Sequence, residues 1–227
     1  MRADAISARC DRRRMVGGLC AWGVLVAHGR SVRASEILPE DRHFAVFRKG
    51  EEIGTHRVVF RAGAAGLEVV HEIDLAVRFA GIPFYRYRQR AQDLWREGRL
   101  IASESETDDN GERTRVVLRE RGGRLRCDGP SGVFEVAKGT MTDLSYWNPA
   151  ILAQRVLVSA RRGELSPFLT VGGTDDLIEV RGRPTRARRW DVVLGEADNG
   201  VVWYDEKGRI VKALVRTRGQ VLDYRLL

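Results

Sequence analysis

Residues 67–79 read LEVVHEIDLAVRF, and their side chains alternate between apolar and polar along most of the run. A period of two over this length is typical of a strand with one face in the core and the other in water, as in antiparallel sheets. Residues 84–95, FYRYRQRAQDLW, alternate in the same way. We therefore predict two long neighbouring strands, with His71 on the apolar face of the first.

Turn signals divide the rest of the chain into further strands. Asn110-Gly111 is typical of a two-residue type I′ hairpin, and Gly63-Ala64 and Gly81-Ile82-Pro83 bound the run at 67–79. Later strands are expected near residues 177–180, 188–194, 201–205, 209–217 and 220–226. The pattern predicts a mainly β fold, an antiparallel meander of about ten or more strands that forms a curved half-barrel or barrel.

One segment departs from this pattern and predicts a short inserted helix. Asn148 is a good N-cap residue, and Pro149 is suited to the first helical position. The apolar run at 150–158 would continue the helix, and Gly163 would end it.

Residues 1–34 have the layout of an export signal. Arg12-Arg13-Arg14 precede an apolar stretch that is shorter than the roughly 20 residues a membrane-spanning helix needs. Val32-Arg33-Ala34 then suits cleavage between Ala34 and Ser35. We predict a signal peptide at 1–34 and a single β-rich domain at 35–227. The expected location is the periplasm, the expected partners are the export machinery and signal peptidase, and no membrane span is expected in the mature chain.

The type of signal is open between two export routes. The pair Arg12-Arg13 before a moderately apolar stretch resembles a twin-arginine signal, and Arg30 and Arg33 near the cleavage site fit this route. Asp11 stands where Ser or Thr is usual, so general secretion stays the alternative.

The formal charge of +8 is concentrated at the N-terminus. Residues 1–34 hold seven arginines and two aspartates of the chain's 39 basic and 31 acidic residues, which leaves 32 basic and 29 acidic residues at 35–227. A charge of +3 with both signs interspersed is that of an ordinary surface. Without an RNP, zinc-finger or helix-turn-helix pattern, we expect no nucleic-acid partner.

Three polar residues on apolar faces are candidates for metal binding or acid/base chemistry. If the turn at Gly63-Ala64 is symmetric, His56 lies opposite His71, and a similar pairing across the next hairpin places Asp93 opposite His71. Two imidazoles and a carboxylate this close could hold a divalent ion or act as a His–Asp pair. The alternative is that each is a hydrogen-bonded, half-buried residue without a ligand, and a cofactor-free protein is the main expectation.

Four aromatic residues are candidates for a ligand pocket: Tyr85, Tyr87, Trp95 and Trp147. The alternative is that they fill the core, because a curved sheet needs large side chains inside. Cys127, the one cysteine after residue 34, is expected to be a strand residue rather than a nucleophile. Carboxylates at 104–108 face arginines at 113–119 across the Asn110-Gly111 turn, which predicts a solvated ladder of ion pairs.

Several blocks of sequence occur in a recognisable order. They are residues 44–56 (FAVFRKGEEIGTH), 97–100 (EGRL) with 109–111 (DNG), 145–149 (SYWNP), and 203–209 (WYDEKGR) with 223–226 (DYRL). This order resembles an uncharacterised family of exported proteobacterial proteins, classed as a domain of unknown function, over residues 42–227. Its layout is similar to periplasmic lipoprotein carriers, in which a curved sheet wraps a helix. The resemblance implies a half-barrel fold and brings no catalytic residues.

The expected function is therefore that of an exported, non-enzymatic protein that binds an apolar or lipid-like ligand in the concave face of its sheet. One alternative is a metal-dependent or acid/base enzyme that uses His56, His71 and Asp93. Another is an envelope scaffold without a small ligand. An open apolar cavity would favour the first function, and a fully packed concave face would favour the scaffold.

Overall fold

The structure is a computed structural model, which describes residues 38–79, 82–196 and 198–227. Fifteen strands lie in this part of the chain, as the alternating sequence predicts. They are β1 (Arg42–Arg48), β2 (Glu51–Gly63), β3 (Gly66–Phe79), β4 (Ile82–Arg96), β5 (Arg99–Asp109), β6 (Glu112–Arg121), β7 (Arg124–Gly129), β8 (Gly132–Ala137), β9 (Met141–Thr142), β10 (Val156–Val158), β11 (Leu165–Val180), β12 (Arg183–Leu194), β13 (Asp198–Asp205), β14 (Ile210–Thr217) and β15 (Gln220–Leu226).

The strands form one open, curved sheet in the order β8-β7-β6-β5-β4-β3-β2-β1-β15-β14-β13-β12-β11-β10-β9. Most neighbours are consecutive in the chain and antiparallel, which confirms the predicted meander. The first and last strands pair with each other, with Phe44 opposite Leu226. The two-residue strand β9 pairs with β10 in parallel. Strands β8 and β9 are therefore the edges of the sheet.

The end of β10 and the segment that follows it pack against β6 and β7, so the sheet is barrel-like. Val158 belongs to the same buried cluster as Val116, Leu118 and Cys127. The backbone carbonyl of residue 161 accepts a hydrogen bond from Thr114 Oγ1 at 2.8 Å. These contacts bring opposite ends of the sheet together and bury Cys127, which lies in β7, as the prediction of a strand residue has it.

Aromatic side chains fill the interior beside a short segment between β9 and β10. Trp147 contacts Phe60 and Trp95 edge to face, with ring centroids 5.1 and 5.0 Å apart. Tyr204 Oη donates to the Tyr146 carbonyl at 2.8 Å and holds the segment to β13. The segment therefore plugs one part of the interior, and a cavity occupies another.

The predicted helix at 149–163 is wrong except at its start. The Asn148 side chain accepts a hydrogen bond from the Ala150 N–H, as expected of an N-cap. The structure has two 3-10 helices here, Ser145–Trp147 and Pro149–Ala153, and the chain then enters β10. The β-branched residues Val156 and Val158 pair with β11 instead of continuing the helix. Gly163 has a φ of 61° and lies against Gly129.

The hairpin and surface predictions around residue 110 are confirmed. Asn110 and Gly111 have φ values of 55° and 97°, as a type I′ turn requires. The ladder of exposed ion pairs is present; Arg115 Nη2, for example, lies 2.5 Å from Glu104 Oε1. Its side chains are solvated, so these ion pairs contribute little to stability.

The predicted signal peptide and its cleavage site at Ala34 and Ser35 lie outside the described residues. Within the described residues, no helix has the length and apolar character needed to cross a membrane.

Candidate functional site

An apolar cavity of about 530 Å³ lies inside the curved sheet. Its walls come from the inward-facing residues of β1 to β4 and β12 to β15, together with the segment around residue 146. This volume is in the range of pockets that bind small molecules. Side chains on the wall include Phe44, Val58, Ile73, Leu75, Tyr146, Val202, Ile210 and Tyr224.

The alternating sequence places these residues on the wall. Successive side chains of a strand point to opposite faces, so Ile73, Leu75 and Val77 of β3 face the cavity. Their neighbours Glu72 and Asp74 carry side chains that are 43 and 54 % exposed and pair with arginines of β4 outside. The sequence stretch at 67–79 therefore supplies one apolar wall and one solvated surface.

His56, His71 and Asp93 form a chain that leads from the cavity wall into the core. His56 lines the cavity, and its Nε2 lies 3.4 Å from Nδ1 of His71. Nε2 of His71 lies 3.7 Å from Oδ2 of Asp93. The side chains of His71 and Asp93 are both 0 % exposed. The predicted convergence of the three residues is present in the structure.

The register of β2 against β3 and the register of β3 against β4 each differ from the predicted register by two residues. His71 lies opposite Val58 and Ala91, so His56 and Asp93 are its diagonal neighbours. A shift of two residues keeps every side chain on its face, whereas a shift of one would have reversed the faces. Long side chains reach across such diagonals, which is why the contacts survive.

Burial favours the neutral form of the side chains of His56, His71 and Asp93. It lowers the pKa of His56 to about 4 and, together with the neighbouring His56, lowers the pKa of His71 well below its usual range. Burial also raises the pKa of Asp93 to about 7. The His56–His71 contact is short enough for a hydrogen bond, whereas the 3.7 Å between His71 and Asp93 is too long for one, so His56 is the member of the three that can exchange a proton with a molecule in the cavity.

The same geometry does not suit one metal ion bound by all three residues. His71 faces His56 through Nδ1 and Asp93 through Nε2, and an ion can bind only one of these nitrogens. No group of three or more metal-ligating side chains is found among the described residues.

The four predicted ligand-binding aromatics fall into two groups. Tyr85, Tyr87 and Trp147 line the cavity. Trp95 is only 2 % exposed and packs edge to face against Trp147, so it is a core residue, as the alternative prediction had it. Among the four, Trp95 is the one that the structure places in the core and not on the cavity wall.

Arginines at one end of the cavity were missed by sequence reasoning. Arg48, Arg161, Arg162 and Arg218 all border the cavity. Arg161 and Arg218 contact the same carboxylate of Asp109, which also accepts a hydrogen bond from Tyr85 Oη at 2.5 Å. Burial raises the pKa of Asp109, but the hydrogen bonds from Arg218 and Tyr85 and the Arg161 charge outweigh it and lower the pKa. These residues lie far apart in the chain, at strand ends and in loops, so no local pattern predicts their meeting.

Residues 44–227 match the family described as domain of unknown function DUF6134. The chain belongs to this family. The match confirms the expected membership in a family of unknown function, over nearly the same residues that carried the resemblance. No curated protein matches the chain.

The DUF6134 domain shares its fold with a solved structure from another family. The crystal structure of a beta-barrel-like protein of domain of unknown function DUF1849 from Brucella abortus is 11% identical in sequence, with a TM-score of 0.59. The match covers 84% of this chain and 96% of that one. At this identity the likeness shows the fold alone, and it agrees with the predicted barrel-like layout.

Proposed function

We propose that the protein binds an apolar or lipid-like ligand inside its curved sheet. The observation that carries this proposal is the cavity of about 530 Å³, walled by aliphatic and aromatic side chains. Each methylene group that leaves water for such a cavity contributes about 0.8 kcal/mol. An acyl chain would therefore bind through its hydrocarbon part, with few polar contacts.

The expected place of action is the periplasm, where an exported carrier would shield a water-insoluble chain from solvent. The layout of residues 1–34 and the family resemblance support this location. An envelope scaffold without a small ligand stays an alternative, but the cavity argues against a fully packed concave face.

Native mass spectrometry of the protein purified from its own host tests ligand binding. We expect bound species with the masses of lipid-like molecules, and their release into an organic extract. The variant Ala213→Trp should retain much less of them, because Ala213 lines the cavity and an indole ring would take up space that the acyl chain needs.

The matched control is Arg216→Trp, which adds the same side chain at an exposed position of the same strand. This variant should retain the ligand. Both variants should unfold cooperatively on heating, which separates loss of ligand from loss of fold. Protein that is consistently free of bound lipid, and that binds no added long-chain probe, would contradict the proposal.

A second candidate function is supported by the His56–His71–Asp93 chain. We propose as the alternative an acid/base enzyme in which His56 exchanges a proton with a molecule in the cavity. Incubation of the protein with the lipid that co-purifies with it, followed by mass spectrometry, tests this candidate. A lipid that stays chemically unchanged would remove it.

A further inference from the structure

The arginines at one end of the cavity outnumber the carboxylates that pair with them. Arg161 and Arg218 both contact Oδ2 of Asp109, at N–O distances of 2.5 and 2.7 Å. One carboxylate offsets one positive charge, so two guanidinium groups on Asp109 leave one positive charge without a counterion.

Arg48 adds a further positive charge at the same cavity. It is the last residue of β1, and its Nε donates to the neutral amide oxygen of Gln220 at 2.9 Å. It makes no ion pair within the described part of the chain. Arg218 lies in the two-residue turn between β14 and β15, and Gln220 is the first residue after that turn, so the turn brings Arg218 and the partner of Arg48 together.

Three further charged residues border the cavity, namely Arg162, Asp143 and Asp198. Arg162 has its own carboxylate partner, Glu164, at 2.6 Å. Asp143 and Asp198 also border the cavity, and they lie near Tyr146, where burial and these carboxyls raise the pKa of the phenol. Of the two arginines on Asp109, Arg161 is the less exposed, at 22 % against 51 %, and Asp143 lies beside it, since Asp143 Oδ1 accepts a hydrogen bond from the Ala160 N–H. The positive charge that can meet a ligand is therefore that of Arg218, together with Arg48.

We propose that Arg48 and Arg218 bind the anionic head group of a single-chain amphiphile whose acyl chain occupies the cavity. The inference rests on the proposed function, and it adds the chemical class of the ligand. Guanidinium groups bind carboxylate and phosphate oxygens through charge-assisted hydrogen bonds. The side chain of Arg218 is 51 % exposed, so the head group stays partly hydrated and the cost of desolvating it is small.

The size of the cavity favours one acyl chain. At about 530 Å³, the cavity is in the size range of pockets that enclose one small molecule, and a single acyl chain belongs to that size class. A long-chain fatty acid and a single-chain alkyl phosphate both have the required combination of one tail and one anionic group.

Three probes with the same tail separate the head-group contribution from the tail contribution. Hexadecanoic acid, hexadecyl phosphate and the neutral hexadecanol are titrated, below their aggregation limits, against a polarity-sensitive fluorophore bound in the cavity. At about pH 8, where a carboxyl is ionised, we expect the acid or the phosphate to bind at least about tenfold more tightly than the alcohol. Which of the two anions binds more tightly identifies the head group.

The variants Arg48→Gln and Arg218→Gln should each reduce this preference to a few-fold and leave the affinity for hexadecanol unchanged. Arg90→Gln, on the exposed outer side of β4, is the matched control and should keep the preference. The preference should also shrink as salt is added, because exposed charges are screened. Alcohol binding equal to acid and phosphate binding would overturn the head-group assignment while the proposed function stands. Binding of none of the three probes would overturn both.

Discussion

The buried chain of His56, His71 and Asp93 shows how position changes the chemistry of a side chain. Each residue type is ordinarily charged or half-charged near neutral pH in water. Inside the sheet, burial lowers the pKa of both histidines and raises the pKa of Asp93. At neutral pH the three side chains therefore carry less charge than the same residue types carry in water.

The pH dependence of stability measures the burial of Asp93. Its pKa is raised from 3.8 to about 7 in the folded chain, so the unfolded chain binds fewer protons in this window. The free energy of unfolding then falls as pH rises through the window. Because Asn stays neutral, we expect Asp93→Asn to gain stability relative to the native chain between about pH 4 and 7, by on the order of 2–4 kcal/mol. Urea unfolding at a series of pH values checks this.

The comparison with the native chain is needed because His56 acts with the opposite sign. Its pKa is lowered from 6.5 to about 4, so between these values the unfolded chain binds more protons and stability rises with pH. The native chain and Asp93→Asn both contain His56, so its contribution cancels when their free energies of unfolding are subtracted. Asp74→Asn, at an exposed carboxyl of β3, controls for the loss of a carboxylate. A difference between Asp93→Asn and the native chain that does not change with pH would refute the account.

At the scale of elements, the segment after Trp147 shows where a sequence pattern is ambiguous. Asn148 and Pro149 are correct helix-start signals, and the helix does begin there. A short apolar run after such a start is compatible with a buried helix or a buried strand. Pairing with β9 on one side and with the start of β11 on the other decides for the strand at Val156–Val158. The long strands were predictable because their alternation is itself a local property.

A close approach between β13 and β14 depends on a glycine. A Cβ atom built on Gly200 would lie 2.3 Å from the Leu214 carbonyl oxygen, and the neighbouring strand cannot move without losing its own pairing. We expect Gly200→Ala to lower the free energy of unfolding by about 1–3 kcal/mol, as overpacking does. Chemical denaturation measures the change.

Gly63→Ala is the matched control for this prediction. A Cβ atom there would meet its nearest neighbours at 3.5 Å, an ordinary contact distance. Its unfolding free energy should stay within about 1 kcal/mol of the native value. Equal effects of the two substitutions would show that the strand approach at Gly200 is not the cause.

At the scale of the whole molecule, the cavity exists because the sheet curves and its ends meet. β1 pairs with β15, and β10 and the segment after it pack against β6 and β7. The segment around Trp147 fills only part of the enclosed space. A carrier of an apolar chain needs both features, an apolar interior and an incomplete filling of it.

The predicted export of the protein can be tested through the arginine pair Arg12-Arg13, on which the twin-arginine prediction rests. The variant carrying both Arg12→Lys and Arg13→Lys should remain in the cytoplasm with its signal uncleaved, because this route reads the arginine pair as an address. Cell fractionation and the intact mass of the protein measure the outcome. The native chain should yield a periplasmic form that begins at Ser35.

Arg9→Lys is the matched control, since it changes an arginine outside the pair. It should be exported and cleaved normally. Normal export of the double variant would favour the general secretory route instead. A chain found in the cytoplasm without cleavage in every case would contradict the export prediction itself.

The sequence by itself determined which residues share a face of each strand and where the tight hairpin at Asn110-Gly111 lies. Both follow from local rules, the period of two along a strand and the φ values a turn requires. Only the tertiary structure decided the registers, the enclosed cavity and the meeting of Arg48 with the turn that carries Arg218. The cavity and the arginine cluster depend on the pairing of β1 with β15, which most of the chain separates. The registers of β2, β3 and β4 depend on where each turn is centred, and alternation alone does not specify that position.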